Sequence, residues 1–69
     1  MEIKARVPGM VQKINVKVGD QVKKMDVVAV LEAMKMEQNI PSPTDGEVTE
    51  INVEEGDRIQ SGKVLMVIE

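Results

Sequence analysis

The residue best placed to do chemistry is Lys35, which lies between Met34 and Met36 in the segment 30–40. Two runs typical of β-strands meet at this lysine, yet no Gly, Asn or Asp stands at the junction between them. The favoured two-residue hairpin turn needs positive φ at both tip positions, which Asn-Gly adopts readily and Met-Lys does not. A forced turn without its usual residues is where a functional site is expected. The sequence therefore predicts an exposed Lys35 at a hairpin tip, where its amine is open to covalent modification.

An internal repeat defines the elements that must position this lysine. Residues 9–32 align with residues 46–69 at a constant offset of 37 and without a gap, with ten identities in 24 positions. Both halves alternate apolar and polar residues with the period of a half-buried strand. Gly-Asp pairs at 19–20 and 56–57 mark turns, and the Pro-rich segment 41–46 links the halves. Because neither half can bury a face alone, the repeat predicts an all-β sandwich or flattened barrel with approximate two-fold symmetry.

The expected strands follow from this alternation. They lie near residues 2–7, 10–17, 27–33, 36–42, 47–54 and 64–69, with short strand-like pieces near Val22 and Ile59. The alternation slips between residues 11 and 14, and again between residues 48 and 51. A slip at the same place in both halves indicates a bend or a β-bulge in each.

The repeat also predicts a core of matched apolar pairs. These pairs are Ile3 with Ile40, Val11 with Val48, Ile14 with Ile51, Val16 with Val53, Val22 with Ile59, Val28 with Leu65 and Val30 with Val67. The choice of Val28 and Val30 is the least constrained, because the run 27–31 is apolar on both faces.

Strand register follows from placing Met34-Lys35 as a two-residue turn. Residues that face each other across the hairpin then have numbers that sum to 69, so Glu32 faces Glu37. The offset of 37 maps this pairing onto the chain ends, where the first and last strands should pair antiparallel. Lys4 is expected opposite Leu65 and Ala5 opposite Val64. Both chain ends should then lie at the pole opposite Lys35.

Composition excludes several classes of function. The 69 residues carry a net charge of −3 and contain no Cys, His, Phe, Trp or Tyr. These absences remove thiolate chemistry, the usual general base and the platforms on which bases stack, and they argue against an autonomous enzyme. The scattered basic residues do not suit nucleic-acid binding. No apolar run approaches a membrane span and no signal peptide is evident, so a cytoplasmic protein is expected.

The segment Glu32–Glu37, with the sequence EAMKME, resembles the biotin attachment motif of the biotinyl/lipoyl carrier family. The turns, the linkers and the repeated halves fall where that family has them, so the resemblance covers nearly the whole chain. It implies one biotinyl domain over residues 1–69. It also implies a barrel-sandwich hybrid of two four-stranded antiparallel sheets. It places covalent biotin on Lys35, recognised through Glu32, Ala33, Met34 and Met36.

The resemblance further implies a non-catalytic carrier with several protein partners. A biotin protein ligase attaches the biotin and must deprotonate the lysine amine, which is an ammonium at neutral pH. The carrier then moves carboxyl groups between a biotin carboxylase or decarboxylase site and a carboxyltransferase site of a biotin-dependent multi-component enzyme. Binding to nucleic acid and direct membrane insertion are not expected.

Two alternatives share the fold. Lipoyl carriers also modify a hairpin lysine but typically have Asp-Lys-Ala at the tip, whereas this chain has Met-Lys-Met at residues 34–36. An unmodified module used for protein contacts needs no attachment motif. For the two methionines at the tip, a role in recognition by a partner protein is favoured over a role in packing the core. Glu32 and Glu37 suit either solubility or partner docking.

Two departures from the family pattern stand out. Met25 occupies a turn position where many members have Gly, as the second half does at Gly62. The first half leaves no room for the thumb-like insertion of the bacterial acetyl-CoA carboxylase carrier. Without that insertion, the chain resembles the carriers of propionyl-CoA, pyruvate, methylmalonyl-CoA or oxaloacetate systems. Strands that begin and end so near the termini suggest a domain trimmed from a longer chain.

Overall fold

Eight strands in two four-stranded antiparallel sheets form the fold of residues 1–69, all of which are described by a computed structural model. The strands are β1 (Glu2–Lys4), β2 (Gly9–Ile14), β3 (Gln21–Val22), β4 (Val27–Ala33), β5 (Met36–Pro41), β6 (Gly46–Ile51), β7 (Arg58–Ile59) and β8 (Val64–Ile68). Their order is β1-β8-β6-β3 in one sheet and β5-β4-β2-β7 in the other. The offset of 37 relates β1 to β5, β2 to β6, β3 to β7 and β4 to β8, and it converts one sheet order into the other. The all-β fold with pseudo-two-fold symmetry is therefore confirmed.

Several strands are shorter than the alternation predicts. β1 ends at Lys4, β2 at Ile14 and β6 at Ile51, each three residues before the expected end. After β2 and β6 the chain turns away from the sheet toward the Gly-Asp pairs. There the carboxylates of Asp20 and Asp57 accept hydrogen bonds at 2.9 Å from backbone N–H groups three residues earlier. These side chains close the turns as the sequence predicts. No helix long and apolar enough to cross a membrane is present.

The predicted bulges are present at matched positions in the two halves. The register of β2 against β4 slips between Val11 and Lys13, and that of β6 against β8 slips between Val48 and Glu50. A bulge bends its strand and increases the local twist. Because both halves carry the bulge at the same offset, the two sheets curve in the same way around one core.

A second pair of bulges has no signal in the sequence. In β4 the pairing with β5 slips at Val28, and in β8 the pairing with β1 slips at Leu65. These two residues are also related by the offset of 37, and both are fully buried. The flanking run is apolar on both faces, so no break in alternation reveals the extra residue.

The second bulge changes the predicted register of the chain ends. Glu2 faces Val67 and Ile3 faces Met66, as predicted, but Lys4 faces Val64. The expected pairs of Lys4 with Leu65 and of Ala5 with Val64 are therefore wrong by one residue. The Ala5 N–H instead donates to the carbonyl of Lys63 at 2.9 Å.

Three of the seven predicted pairs have both members buried in the core, namely Val11 with Val48, Val22 with Ile59 and Val28 with Leu65. The buried residues of the core are Ile3, Ala5, Val11, Val22, Val28, Ala29, Leu31, Val48, Val53, Ile59, Leu65, Met66 and Ile68. Four predicted members pack against this cluster but are only partly buried, namely Ile14, Val16, Ile40 and Ile51.

The predicted pair of Val30 with Val67 is wrong, because both residues are only half-buried and neither is among those that pack against the core cluster. Their neighbours Leu31 and Ile68 fill the core in their place. The bulge at Val28 explains the change. Because Val28 is an extra residue in β4, the inward-facing residues after it are Ala29, Leu31 and Ala33. The same displacement occurs in β8.

Candidate attachment site at the hairpin tip

Lys35 lies in the tight turn that joins β4 to β5. Ala33 faces Met36 across the strands, so Met34 and Lys35 alone form the connection. Their φ angles are 54° and 64°, and positive φ at both central residues is the pattern of a type I′ turn. The left-handed conformation costs a residue with a Cβ roughly 1–2 kcal/mol. The predicted two-residue turn is therefore present, formed by residues that do not favour it.

The three tip residues project into solvent. Met34 is 91% exposed and Met36 is 64% exposed, and Lys35 is exposed as well. The two methionines therefore contribute little to the core, so the core-filler interpretation is wrong. The one ion pair of the structure joins Lys4 to Glu2, which leaves the amine of Lys35 without a carboxylate partner. The amine is open to a reagent delivered by another protein.

The base of the hairpin is fixed by close packing against β2. Ala33 is buried, and a Cβ added at Gly9 would collide with the carbonyl oxygen of Glu32. The same added atom would lie 3.3 Å from the Cβ of Ala33. Gly9 therefore allows the backbones to approach where the exposed tip begins. In the sequence Gly9 is recognisable only as part of the repeat, and its identity with Gly46 is the signal for this approach.

A row of exposed side chains crosses the outer face of the sheet next to the tip. Glu37 faces Glu32, Glu32 faces Met10, and Met10 faces Arg58. Like charges directly opposite each other destabilise a strand pair. The Glu32–Glu37 pair therefore does not stabilise the hairpin, and it gives the surface beside Lys35 a negative character.

The chain ends lie away from the tip. β5 leaves the turn and runs for six residues, about 20 Å at the usual rise of a strand. The linker beyond it enters β6, where Glu47 exchanges backbone hydrogen bonds of 2.7 and 2.9 Å with Glu69. The N–H of Ile68 donates to the carbonyl of Met1 at 2.8 Å. Both ends therefore lie side by side at the pole opposite Lys35, as predicted.

The site is a projection and not a pocket. The largest concave region is an open groove of about 930 Å³ between β1 and β5, with Ile3, Leu31 and Ile40 in its lining. None of residues 33–36 lines this groove. Small-molecule sites are usually concave and enclose most of their ligand. An exposed lysine on a projecting turn is instead suited to enter the concave sites of other proteins.

Comparison with known proteins agrees with this geometry. Residues 1–68 match the model of the family described as biotin-requiring enzyme. Because the match covers nearly all of the chain, this protein belongs to that family.

Several relatives and structural neighbours of the chain are carboxylases. The chain is 42% identical over 67 residues to pyruvate carboxylase of Staphylococcus aureus, covering 97% of the chain and 6% of the relative. It is 42% identical over 62 residues to the mitochondrial methylcrotonoyl-CoA carboxylase subunit alpha of Dictyostelium discoideum, covering 90% and 9%. The crystal structure of the Kluyveromyces lactis urea carboxylase superposes with a TM-score of 0.93 at 30% identity, covering 100% of the chain and 6% of the neighbour. The chain thus spans less than a tenth of each of these proteins.

Fold and family together define the class of the domain. It is a biotin-lipoyl domain, homologous to the carrier domains of biotin-dependent carboxylases, and biotin is the cofactor of its family.

Proposed function

We propose that Lys35 is the residue that carries biotin and that residues 1–69 act as a single biotinyl domain. The observation that supports this most directly is the exposed type I′ turn, which presents the lysine between two exposed methionines. An amide would form between the carboxyl group of biotin and the ε-amine. The reaction removes one of nine basic groups while all twelve acidic groups remain, so the net charge moves from −3 to −4.

The recognition residues are proposed to act in two ways. Met34 and Met36 offer apolar surface to an approaching partner, while Ala33 keeps the base of the tip narrow and buried. Glu32, with Glu37 opposite it, supplies negative charge at a cost to hairpin stability, which favours docking over solubility as its role. The biotin protein ligase must remove the proton of the lysine ammonium, since the chain contains no His to act as a base.

The domain is proposed to carry carboxyl groups and to catalyse no step itself. Its partners would be a carboxyltransferase component and either a biotin carboxylase or a decarboxylase component. A biotin carboxylase adds the carboxyl group to biotin, whereas a decarboxylase removes it from carboxybiotin as CO2. A tethered carrier raises the effective concentration of carboxylated biotin at each site. The geometry supports this role, because a linker attached at either chain end would leave the Lys35 tip unobstructed.

Replacement of Lys35 tests the attachment site. The Lys35→Arg protein, expressed with a biotin protein ligase, is expected to give no signal with labelled streptavidin and no added biotinyl mass. Lys63→Arg is a matched control, because it changes an exposed lysine in the other half and should leave biotinylation intact. A signal that survives Lys35→Arg, or a peptide map that places biotin on Lys4, Lys24 or Lys63, would refute the assignment.

The same measurement separates the alternatives. An intact mass with one lipoyl group would indicate a lipoyl carrier. An unmodified mass after expression with active ligase would indicate a module used only for protein contacts.

A further inference from the structure

The methionines of this chain differ widely in their access to solvent. The exposed fractions are 91% for Met34, 68% for Met25, 64% for Met36, 60% for Met1 and 37% for Met10. The sixth, Met66, is fully buried in the core. Two of the three most exposed methionines therefore flank Lys35 directly.

The turn geometry keeps these two thioethers accessible. Met34 is held in the left-handed conformation at the outermost turn, and Met36 begins β5 where the strand pair emerges from the barrel. Neither belongs to the hydrophobic core, whereas Met66 lies in the middle of β8 and belongs to it. A change in the chemistry of Met34 or Met36 therefore alters the surface around Lys35 without opening the core.

Solvent access governs the oxidation of methionine, which converts a flexible apolar side chain into a polar and chiral one. With hydrogen peroxide as the oxidant, one oxygen atom passes to sulfur. The O–O bond of the peroxide breaks, an S–O bond forms and water leaves. Sulfur loses two electrons and the peroxide gains them. Reductases specific for the two sulfoxide epimers reverse the reaction.

We propose that Met34 and Met36 form a peroxide-sensitive modification site that controls recognition of Lys35. In the reduced state the two thioethers provide apolar contact to the ligase. As sulfoxides they present polar oxygens. These oxygens lose their hydration when the tip enters the ligase, and they lack a hydrogen-bond donor there. This inference rests on the proposed biotinylation of Lys35, because recognition of that lysine is what oxidation would block.

The test uses the full 69-residue chain and hydrogen peroxide in graded amounts. Peptide mapping should show sulfoxide at Met34 first and none at Met66 while circular dichroism remains that of the folded protein. The initial rate of biotinylation should then fall at least about fivefold, the ratio expected for one unpaired polar group buried at an interface. Treatment with the two methionine sulfoxide reductases should restore the rate.

Two double variants separate the tip from the remaining methionines, each compared with its own untreated rate. Met34→Leu with Met36→Leu should keep its rate after peroxide. Met10→Leu with Met25→Leu removes exposed sulfur outside the turn, beside Glu32 at Met10 and far from the tip at Met25, and should remain as sensitive as the wild-type protein. If the Met34→Leu and Met36→Leu double variant is not a ligase substrate, rescue of the oxidised wild-type protein by the reductases decides whether oxidation blocks biotinylation.

Three outcomes would overturn the proposal. These are an unchanged rate after complete oxidation of Met34 and Met36, loss of the rate in step with oxidation elsewhere, and loss that accompanies unfolding. Failure of the underlying function looks different, because untreated protein would then accept no biotin at Lys35.

Discussion

Two strand pairs related by the internal symmetry end in opposite ways. β4 and β5 are joined by the Met34-Lys35 turn, whereas their counterparts β8 and β1 carry the two chain ends and have no connection. Both pairs are antiparallel. The residue numbers of facing partners sum to 69 next to the turn in the first pair and next to the chain ends in the second. The open pair forms the same ladder without any turn. The pairing of the two strands therefore does not depend on the turn at Lys35.

Two other equivalent turns differ in the residue that adopts positive φ. Met25 and Gly62 occupy equivalent turns, with φ angles of 78° and 91°. Their N–H groups donate equivalent hydrogen bonds of 2.8 Å, to Ser42 from Met25 and to Ala5 from Gly62. Only the side chain differs, since Met25 has a Cβ in a conformation that favours glycine. The fold thus tolerates this strain at two places, and only at the hairpin tip does a lysine itself adopt positive φ.

The largest expected effect tests whether the two strand pairs contribute equally to the core. Leu31→Ala and Ile68→Ala each remove a fully buried side chain at equivalent positions of β4 and β8. Each substitution should lower the free energy of unfolding by about 2–5 kcal/mol, because lost burial and a residual cavity add. Chemical denaturation of both variants measures the losses.

Equal losses would support one symmetric core. A loss confined to Leu31→Ala would show that the closed hairpin carries more of the stability than the open pair. Ile68→Val serves as a milder control, with an expected cost of about 0.5–1.5 kcal/mol.

Replacing the tip residues should separate stability from function. Met34→Asn combined with Lys35→Gly installs the residues preferred in a type I′ turn. Relief of two left-handed residues should raise the free energy of unfolding by roughly 1–2 kcal/mol, since each costs on the order of 1 kcal/mol. Thermal unfolding measures the gain, while labelling with streptavidin should give no signal. A lower melting temperature would show that the Met-Lys turn is not strained, contrary to the comparison with the open pair.

The smaller strain at Met25 is tested by exchanging the equivalent residues. Met25→Gly should raise the free energy of unfolding by up to about 1 kcal/mol, and Gly62→Met should lower it by roughly 1–2 kcal/mol. Biotinylation should be unchanged in both, because neither residue lies near the hairpin tip in the strand order. Destabilisation by Met25→Gly would mean that the exposed Met25 side chain makes contacts worth more than the backbone strain.

The repeat made most of the fold predictable. Positions such as Val11 and Val48 show the alternation and its slip in both halves, so each half supports the interpretation of the other. The bulges at Val28 and Leu65 escaped prediction for a physical reason. A run that is apolar on both faces gives the same pattern with or without an extra residue, so neither Val30 nor Lys4 could be placed correctly.

The candidate site was predictable for a different reason. Absence of Gly and Asn at residues 34 and 35 conflicts with the turn that the flanking strands require, and the structure resolves the conflict with positive φ at both residues. What the sequence does not reveal is the support beneath the tip. The close approach of Gly9 to Glu32 joins residues distant in the chain, and it depends on the packing of β2 against β4.

The smallest expected effect on stability concerns the methionines at the tip. Met34→Leu and Met36→Leu keep apolar volume, and swaps of this kind usually cost less than about 1.5 kcal/mol even in a core. At positions 91% and 64% exposed, the melting temperature should barely change. Turnover with the carboxylase partner should nevertheless fall, because leucine is branched and lacks the flexible thioether that adapts to a binding surface. Measured together, the melting temperature and the turnover distinguish recognition from folding. Loss of stability with normal turnover of the folded fraction would show that both methionines stabilise the fold. The tip would then not differ from the open strand pair in serving recognition.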